Sequence, residues 1–242
     1  MEENSRADAR ETIGIIGAME VEVASLKEAA AIRKTTYISG MEFCEGTLGG
    51  KNVVIVQCGV GKVNAGICAC ILINMFSCKR IINSGVAGSL DNTLDIGDTV
   101  VSIDAVQHDV DVTKLGYAKG ELPYMGLTVF PADEKLRAAA VRALRENAPE
   151  IRVYEGRVAS GDQFISEREQ KARLSEDYGG MCCEMEGAAI AQACYLSGTP
   201  FVIIRAISDK MDGSTAVEYR TFYMAAADRC ARSVRCMVEN LD

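Results

Sequence analysis

The chain has 242 residues, of which 48% are hydrophobic and 25% charged, a balance that is typical of a folded globular domain and excludes a disordered or fibrous chain. Its formal net charge of -8 argues against nucleic acid as a partner, because binding to phosphates depends on clustered Lys and Arg. No run approaches the ~20 apolar residues that span a bilayer, and the N-terminus lacks the apolar run of a signal peptide, so we expect a cytoplasmic protein that binds no membrane.

The predicted elements alternate between buried strands and helices. Residues 1–11 are polar without periodicity and predict a flexible tail. Runs rich in Ile and Val predict strands at 12–18, 52–58, 80–84, 98–106 and 200–207. Helices are predicted at 19–31, 63–76 and 133–147, with Asp133 as the N-cap of the third, together with a hairpin at 35–49 and a last helix with an apolar stripe from Met224 to Leu241. Because no linker interrupts residues 12–242, we expect them to form one α/β domain.

The ten cysteines lie in apolar runs such as 66–73, which predicts reduced thiols in the core rather than a disulfide framework. His108 is the single histidine and has no C-x-x-C pair nearby, so we expect no metal site. A nucleophilic mechanism of the Ser-His-Asp type would have to use His108, and no nucleophile motif supports one. We therefore interpret His108 as a loop or interface residue.

Three glycine-containing segments follow predicted strands. The first runs from Gly14 to Glu22, where ligands of α/β sheets gather, although its glutamates are also explained by a helix dipole. The run from Gly59 to Lys62 lacks the full P-loop pattern and predicts a tight turn with Lys62 in solvent. The third, residues 83–89, either contacts a ligand through its backbone or forms a turn with positive φ, and both alternatives stay open.

Carboxylates inside apolar runs are the clearest chemical signal, because a buried charge is costly unless it is paired or used. Glu184 and Glu186 flank one methionine, and alternation along an extended segment would point both carboxylates the same way, with Met185 opposite. Glu184 could instead pair with Arg205. Asp209 ends an apolar strand and is either a helix cap or a catalytic acid.

Five segments occur in the order found in one family: GIIGAMEVEV, NSGVAGSL, GDQFI, CEMEGAAIA and RAISD. From about Ile13 to Leu241 the sequence resembles the 5'-methylthioadenosine/S-adenosylhomocysteine nucleosidases, within the purine nucleoside phosphorylase and hydrolase superfamily. The resemblance implies a three-layer α/β/α sandwich with a mixed central sheet, a homodimer, and no cofactor or metal. It also implies hydrolysis of the N-glycosidic bond of 5'-methylthioadenosine and S-adenosylhomocysteine, with 5'-deoxyadenosine as a further candidate substrate, which releases adenine.

Residue roles follow from the same resemblance. Glu22 would activate water, and Asp209 would protonate the departing purine, for which it must hold a proton near neutral pH; burial against Val202 and Ile204 would favour that neutral form. The remaining substrate contacts implied are Met185 and Glu186 at the ribose, Phe164 and the backbone of Ile165 at adenine, Arg205 at the water cluster, Val86, Ala87, Gly88 and Ser208 in the pocket, and Met19, Val60 and Tyr219 in its apolar wall. Val112, Leu115, Tyr117 and Pro123 would reach the pocket of the neighbouring subunit.

Two residues depart from the family pattern. Val86 replaces a common Ser or Thr, which removes a hydrogen bond to the water or ribose, and Leu115 replaces a common aromatic residue. Three alternatives stay open: a phosphate-dependent phosphorylase, a futalosine-type hydrolase and a nucleoside-binding module without catalysis. Negative charge at Glu22 argues against phosphate, and the presence of both Glu22 and Asp209 argues against loss of catalysis.

Overall fold

A computed structural model of the chain describes residues 11–147, 149–212 and 215–241. The strands in these ranges are β1 (Ile13–Gly17), β2 (Ala31–Ile38), β3 (Met41–Leu48), β4 (Lys51–Gln57), β5 (Arg80–Ser89), β6 (Thr99–Gln107), β7 (Val129–Pro131), β8 (Val153–Ser160), β9 (Gly180–Glu184) and β10 (Phe201–Asp209). The helices are α1 (Glu20–Ala29), α2 (Lys62–Asn74), α3 (Glu134–Asn147), α4 (Arg168–Tyr178), α5 (Gly187–Ser197) and α6 (Thr215–Glu239), and a short 3₁₀ turn covers Thr113–Leu115.

The strands form one mixed sheet, as the resemblance implied. β1 lies between β4 and β5 and is parallel to both, and β5 is also parallel to β10. From β10 the sheet continues through β6 and β8 to β9, which returns antiparallel to β5 by pairing Gly88 with Cys183. The five strands from β5 round to β9 therefore close on themselves. The hairpin strands β2 and β3 extend the open side.

Helices cover both faces of the sheet, which confirms the three-layer prediction. One face packs against α1, α3 and α6, and its core includes Val23, Leu136 and Val234. The other face packs against α2 and α5, with Leu72 and Ile190 in its core. Each of these side chains is at most 2% exposed, and burial of a side chain of this size stabilises the fold by roughly 1.5–3 kcal/mol.

The predicted elements agree with the structure within a few residues, with one informative exception. β5 was expected to end at residue 84 but continues to Ser89, so Gly85 and Gly88 lie in a strand and the alternative of a turn with positive φ is wrong. The Asp133 cap is confirmed, since Oδ1 accepts the Leu136 amide at 2.8 Å. The division into a tail over 1–11 and a domain over 12–242 stays a prediction: residues 1–10 lie outside the described residues, and Glu11 pairs with Arg80.

The ten cysteines carry free thiols, and eight of them are buried, which agrees with the predicted reduced core. Within the ranges described above, no helix has the length and apolar character needed to cross a membrane.

Candidate active site

One pocket, with about 470 Å³ of empty space, lies where β1, β5 and β10 meet the end of β9. It collects the predicted catalytic and substrate-binding residues except Ile165, and adds two residues that were not predicted to bind substrate, Cys183 and Glu184. Its lining consists of Met19, Glu22, Val60, Val86, Ala87, Gly88, Phe164, Cys183, Glu184, Met185, Glu186, Arg205, Ser208, Asp209 and Tyr219. Ile165 instead packs in a small core cluster with Leu90 and Leu174.

Glu22 lies in the first turn of α1 and is 1% exposed. Its Oε2 accepts the backbone amides of Ala18 at 2.7 Å and Met19 at 2.9 Å, and its Oε1 accepts the Val86 amide at 3.0 Å. Burial raises the pKa of this carboxyl, against the opposing effects of the Arg205 charge and these three amides. Glu22 therefore both satisfies the start of α1, as the helix-dipole interpretation expected, and presents a carboxyl to the pocket.

The absence of a side chain at Gly85 allows Glu22 and Arg205 to lie close together. A Cβ atom built at Gly85 would lie 2.6 Å from Glu22 Oε1 and would overlap Arg205 Nη1. The close approach of these two side chains to β5 therefore requires glycine at this position, although the backbone there is an ordinary strand.

Arg205 is 1% exposed and pairs with Glu184, as one interpretation of the sequence expected. Its Nη2 also donates to Asn83 Oδ1 at 2.6 Å. Burial opposes the charge of Arg205, but Glu184, Glu186 and Glu22 together raise its pKa. Glu184 also accepts hydrogen bonds from the backbone amides of Glu186 and Gly187, so its carboxylate fixes the chain that follows β9.

Glu186 is the second carboxyl of that segment and is 4% exposed. Its Oε1 accepts the Gly61 amide at 2.8 Å, and Oε2 lies 3.8 Å from Arg205. Burial, followed by the charge of Glu184, raises the pKa of Glu186 to about 7. Both glutamates face Arg205, as alternation predicted, but Met185 also lines the pocket because β9 ends at Glu184 and the chain turns into α5.

Asp209 ends β10 and is 1% exposed. Its Oδ2 accepts the ammonium of Lys171 from α4 at 2.5 Å, and its Oδ1 accepts the Ser208 hydroxyl at 2.8 Å. The helix-cap alternative is wrong, since the next helix begins at Thr215. The carboxyl is buried, as expected, and a buried cation that the sequence did not indicate lies against it.

Aromatic side chains border the mouth of the pocket. Phe164 is 52% exposed and meets the ring of Tyr219 edge-on with centroids 5.2 Å apart, while Tyr219 stacks on Tyr223. Val60, at 51% exposure, lies in the turn between β4 and α2. A planar apolar ligand could rest against these side chains.

The four residues expected to reach a partner subunit do not line this pocket. Val112, Leu115, Tyr117 and Pro123 lie in the segment between β6 and β7, where Leu115 is 75% exposed. These four residues therefore do not contribute to the pocket of their own chain.

The turn before α2 differs from expectation at one residue. Gly59 and Gly61 have positive φ, as a tight turn requires. Lys62, which was expected in solvent, donates to Asp109 at 2.6 Å and to Gln107 at 2.9 Å. His108 follows β6 directly and is buried, in agreement with the loop interpretation.

Comparison with known proteins agrees with this architecture. Residues 12–239 match the profile of the Phosphorylase superfamily. The 5'-methylthioadenosine/S-adenosylhomocysteine nucleosidase of Shewanella halifaxensis (strain HAW-EB4) is 40% identical over 230 residues, which are 95% of this chain and 99% of the relative. The crystal structure of such a nucleosidase from Colwellia psychrerythraea 34H, in complex with adenine, has a TM-score of 0.91 at 39% identity and covers 96% of each chain.

The futalosine hydrolase of Helicobacter pylori strain 26695 has nearly the same fold, with a TM-score of 0.90 at 32% identity over 96% of this chain and 98% of that chain. Shared fold alone thus does not separate these hydrolases. The chain belongs to the 5'-methylthioadenosine/S-adenosylhomocysteine nucleosidases of the phosphorylase superfamily, since a member of that family is 40% identical over 95% of this chain and the superfamily profile matches residues 12–239.

Proposed function

We propose that the protein hydrolyses the N-glycosidic bond of 5'-methylthioadenosine and S-adenosylhomocysteine, releasing adenine and the 5-substituted ribose, with Glu22 and Asp209 as catalytic residues. The observation that carries the assignment of these roles is the presence of both buried carboxyls in one pocket, at different points along β5. Cleavage of a ribosyl bond passes through an oxocarbenium-like state, which calls for one carboxyl to assist the leaving group and another to activate water.

Glu22 is suited to hold one water molecule. A carboxylate has about four acceptor sites, and backbone amides occupy three of those of Glu22. The remaining site on Oε1 can accept one proton of a water and orient its oxygen toward the sugar. Burial raises the pKa of Glu22, which brings the base closer to working pH and strengthens it.

The spacing of the two carboxyls leaves room for substrate and water between them. Glu22 meets β5 at the Val86 amide, and Asp209 meets it at Gly88, two residues further along a strand that rises about 3.3 Å per residue. The two contact points on the strand are therefore roughly 7 Å apart, which is compatible with a mechanism in which the second carboxyl activates water directly rather than attacking the sugar. Asp209 would donate its proton to the purine as the bond breaks.

The other groups suit the remaining parts of the substrate. Glu186 keeps acceptor capacity beyond the Gly61 amide and would take ribose hydroxyls beside Met185. Phe164 and Tyr219 would cover the base and the alkylthio group, together with Met19 and Val60. Arg205 would act on the water through its contacts with the glutamates, while Val86, Ala87, Gly88 and Ser208 shape the floor.

Electrostatics argue against phosphorolysis. Among the described side chains that line the pocket, one is basic, that of Arg205. Its guanidinium is already paired with Glu184 and Asn83. The lining also carries four carboxyl groups, which repel phosphate. The charge of the pocket therefore favours water over phosphate as the nucleophile.

The deciding experiment is product analysis of the purified protein with 5'-methylthioadenosine, with and without phosphate. Free adenine and unphosphorylated sugar in phosphate-free buffer support hydrolysis, whereas a phosphate-dependent sugar phosphate would establish a phosphorylase. S-adenosylhomocysteine, 5'-deoxyadenosine and futalosine are compared under the same conditions. Turnover of futalosine alone would reassign the 5' substituent.

The role of Asp209 is tested with Asp209→Asn, which keeps the shape of the side chain but has no carboxyl proton to donate. We expect turnover to fall by about 10²–10⁴-fold, with adenine binding retained in a titration. Undiminished turnover would refute the assignment of Asp209 as the acid.

We further infer that the protein is a homodimer in which Val112, Leu115, Tyr117 and Pro123 contribute to the pocket of the partner. Support comes from large exposed apolar side chains near the pocket mouth and in the segment between β6 and β7, among them Val60, Val63, Leu115 and Tyr124. Light scattering should give twice the chain mass of 26.0 kDa. Leu115→Glu should weaken both the dimer and turnover, and a fully active monomer would contradict the inference.

Ten free thiols suit a reducing compartment, and we infer the cytoplasm. Fractionation of the source cells tests this: recovery with a cytoplasmic marker supports it, and recovery with an exported fraction would refute it.

A further inference from the structure

Lys171 is an unusual residue for its position. It belongs to α4, a largely polar helix, yet its side chain is 0% exposed and is among the largest fully buried side chains described. Its ammonium donates to Asp209 Oδ2 at 2.5 Å and to the Lys210 carbonyl oxygen at 2.6 Å. A buried lysine is costly unless it is paired, and here the partner is the carboxyl to which the proposed function gives the leaving-group proton.

The pair reaches the pocket because Gly88 has no side chain. A Cβ atom at Gly88 would lie 2.8 Å from Asp209 Oδ2 and 3.3 Å from Lys171 Nζ. Gly88 and Asp209 both line the pocket, so the ammonium of Lys171 contacts a carboxyl at the pocket surface.

Other ionisable groups also face Asp209, from several elements. Cys183 on β9 has its pKa raised to about 12, chiefly by burial, and burial also raises the pKa of Tyr219 on α6, so both stay neutral at moderately alkaline pH. Glu22 and Glu186 also line the pocket, and a negative charge on either of them makes a further negative charge on Asp209 less favourable. Lys210 points away and pairs with Asp95. Among the residues that the structure describes, Lys171 is therefore the cation that contacts the Asp209 carboxyl directly.

We propose that Lys171 is a positioning residue for the proposed acid Asp209: its ammonium fixes Oδ2, confines the transferable proton to Oδ1, and stabilises the carboxylate that remains after the proton leaves. The inference rests on the proposed function, because it assumes that Asp209 protonates the purine.

The hydrogen-bonding capacity of the groups supports this division between the two oxygens. An ammonium offers donors only, so a proton on Oδ2 would face another N–H, whereas Oδ1 faces the Ser208 hydroxyl, which can turn its hydrogen toward the Ala87 carbonyl at 3.3 Å. In the transfer step the O–H bond at Oδ1 breaks and an N–H bond forms on a purine ring nitrogen. The electron pair stays on the carboxylate, Lys171 keeps its proton, and Asp209 is reprotonated from solvent after adenine leaves.

A cation beside an acid has two opposite effects on rate. It makes the acid stronger, which speeds donation, and it lowers the pH above which the acid is ionised and inactive. Removing the charge should therefore slow the plateau rate while extending activity to higher pH. General damage to the fold would lower the rate without moving the alkaline limb of the pH profile.

The test is the pH profile of kcat for 5'-methylthioadenosine hydrolysis by the full-length protein and by Lys171→Met. We expect kcat at the plateau to fall on the order of tenfold, with little change in KM. We expect the alkaline limb to move to higher pH, because the variant no longer places a positive charge against the carboxyl. An alkaline limb at the wild-type position would overturn the proposal.

Three further variants complete the design. Arg173→Met removes a positive charge from an exposed position of the same helix and should leave the profile unchanged. Lys171→Arg keeps the charge and should keep the wild-type limb, and a displaced limb in this variant would also overturn the proposal. If Lys171→Met fails to fold, Lys171→Gln supplies a donor without charge and should show the same upward shift.

The experiments distinguish failure of the proposed function from failure of the role proposed for Lys171. If the wild-type protein releases no adenine from 5'-methylthioadenosine, the proposed function fails. If it does, and the uncharged variants share its alkaline limb, the role of Lys171 alone is refuted.

Discussion

The pH dependence of stability should depend on Glu186, and the Glu186→Gln variant tests this. Burial and the nearby Glu184 charge raise the pKa of Glu186 from 4.5 to about 7. The folded protein therefore holds this proton more tightly than the unfolded chain does. The stabilisation is fully present below about pH 4.5 and is lost as pH rises through about 7. At about 1.4 kcal/mol per pKa unit, the loss amounts to about 3 kcal/mol.

Glu186→Gln removes the titrating proton but keeps an oxygen to accept the Gly61 amide. We expect the variant to be more stable than the wild type at pH 8 and to show a smaller decrease in the free energy of unfolding between pH 5 and pH 8, by about 3 kcal/mol. The raised pKa of Glu22 acts in the same direction, so some decrease remains in the variant.

Urea unfolding at pH 5, 6, 7 and 8 measures these differences, with circular dichroism as the signal. Glu20→Gln is the matched control, because Glu20 is an exposed glutamate in the first turn of α1. The control should follow the wild type at every pH. If Glu186→Gln also follows the wild type, the burial of Glu186 does not produce the expected cost, and the reasoning is refuted.

Three further changes probe the pocket. Glu22→Gln removes the proposed base and leaves one backbone amide facing an amide nitrogen; we expect kcat to fall about 10²–10⁴-fold with adenine binding retained in a titration, and unchanged kcat would reject the role. Gly85→Ala should abolish turnover and lower Tm, since its Cβ would lie 2.6 Å from Glu22 Oε1, whereas Gly66→Ala on α2, with open space around it, should stabilise the fold by roughly 0.5–1 kcal/mol. Val86→Thr restores a hydroxyl at the pocket and should raise kcat/KM several-fold in steady-state assays; an unchanged value would show that this hydrogen bond contributes nothing.

Much of the fold followed from local pattern. Continuous Ile and Val runs identified β1, β4 and β10, and the spacing of apolar residues identified α3 and α6, because burial of one face or of both faces leaves a characteristic period. β8 and β9 were not predicted, since Val153–Ser160 and Gly180–Glu184 lack a continuous run of Ile and Val and contain charged or small residues. Their position as partners in a closed set of strands depends on pairing between distant segments.

The candidate site was predictable in its acidic members. Glu22, Glu186 and Asp209 stand inside or beside apolar runs, where a carboxylate is costly without a purpose, and family motifs gave them roles. The side chain of Ile165, which follows Phe164 in the same motif, packs in the core, and the sequence contains no local sign of that difference. The expected contact of the Ile165 backbone with adenine stays a prediction.

The sequence by itself determined which side chains are available, which segments are buried, and to which family the chain is related. Only the tertiary structure decided which buried charge meets which: Glu184 pairs with Arg205, Lys62 with Asp109, and Lys171 with Asp209. The physical reason is that electrostatic interaction depends on distance and burial rather than on separation along the chain. Lys171 and Asp209 are 38 positions apart, and the sequence between them carries no local signal of their contact, which is created by the packing of α4 against β9.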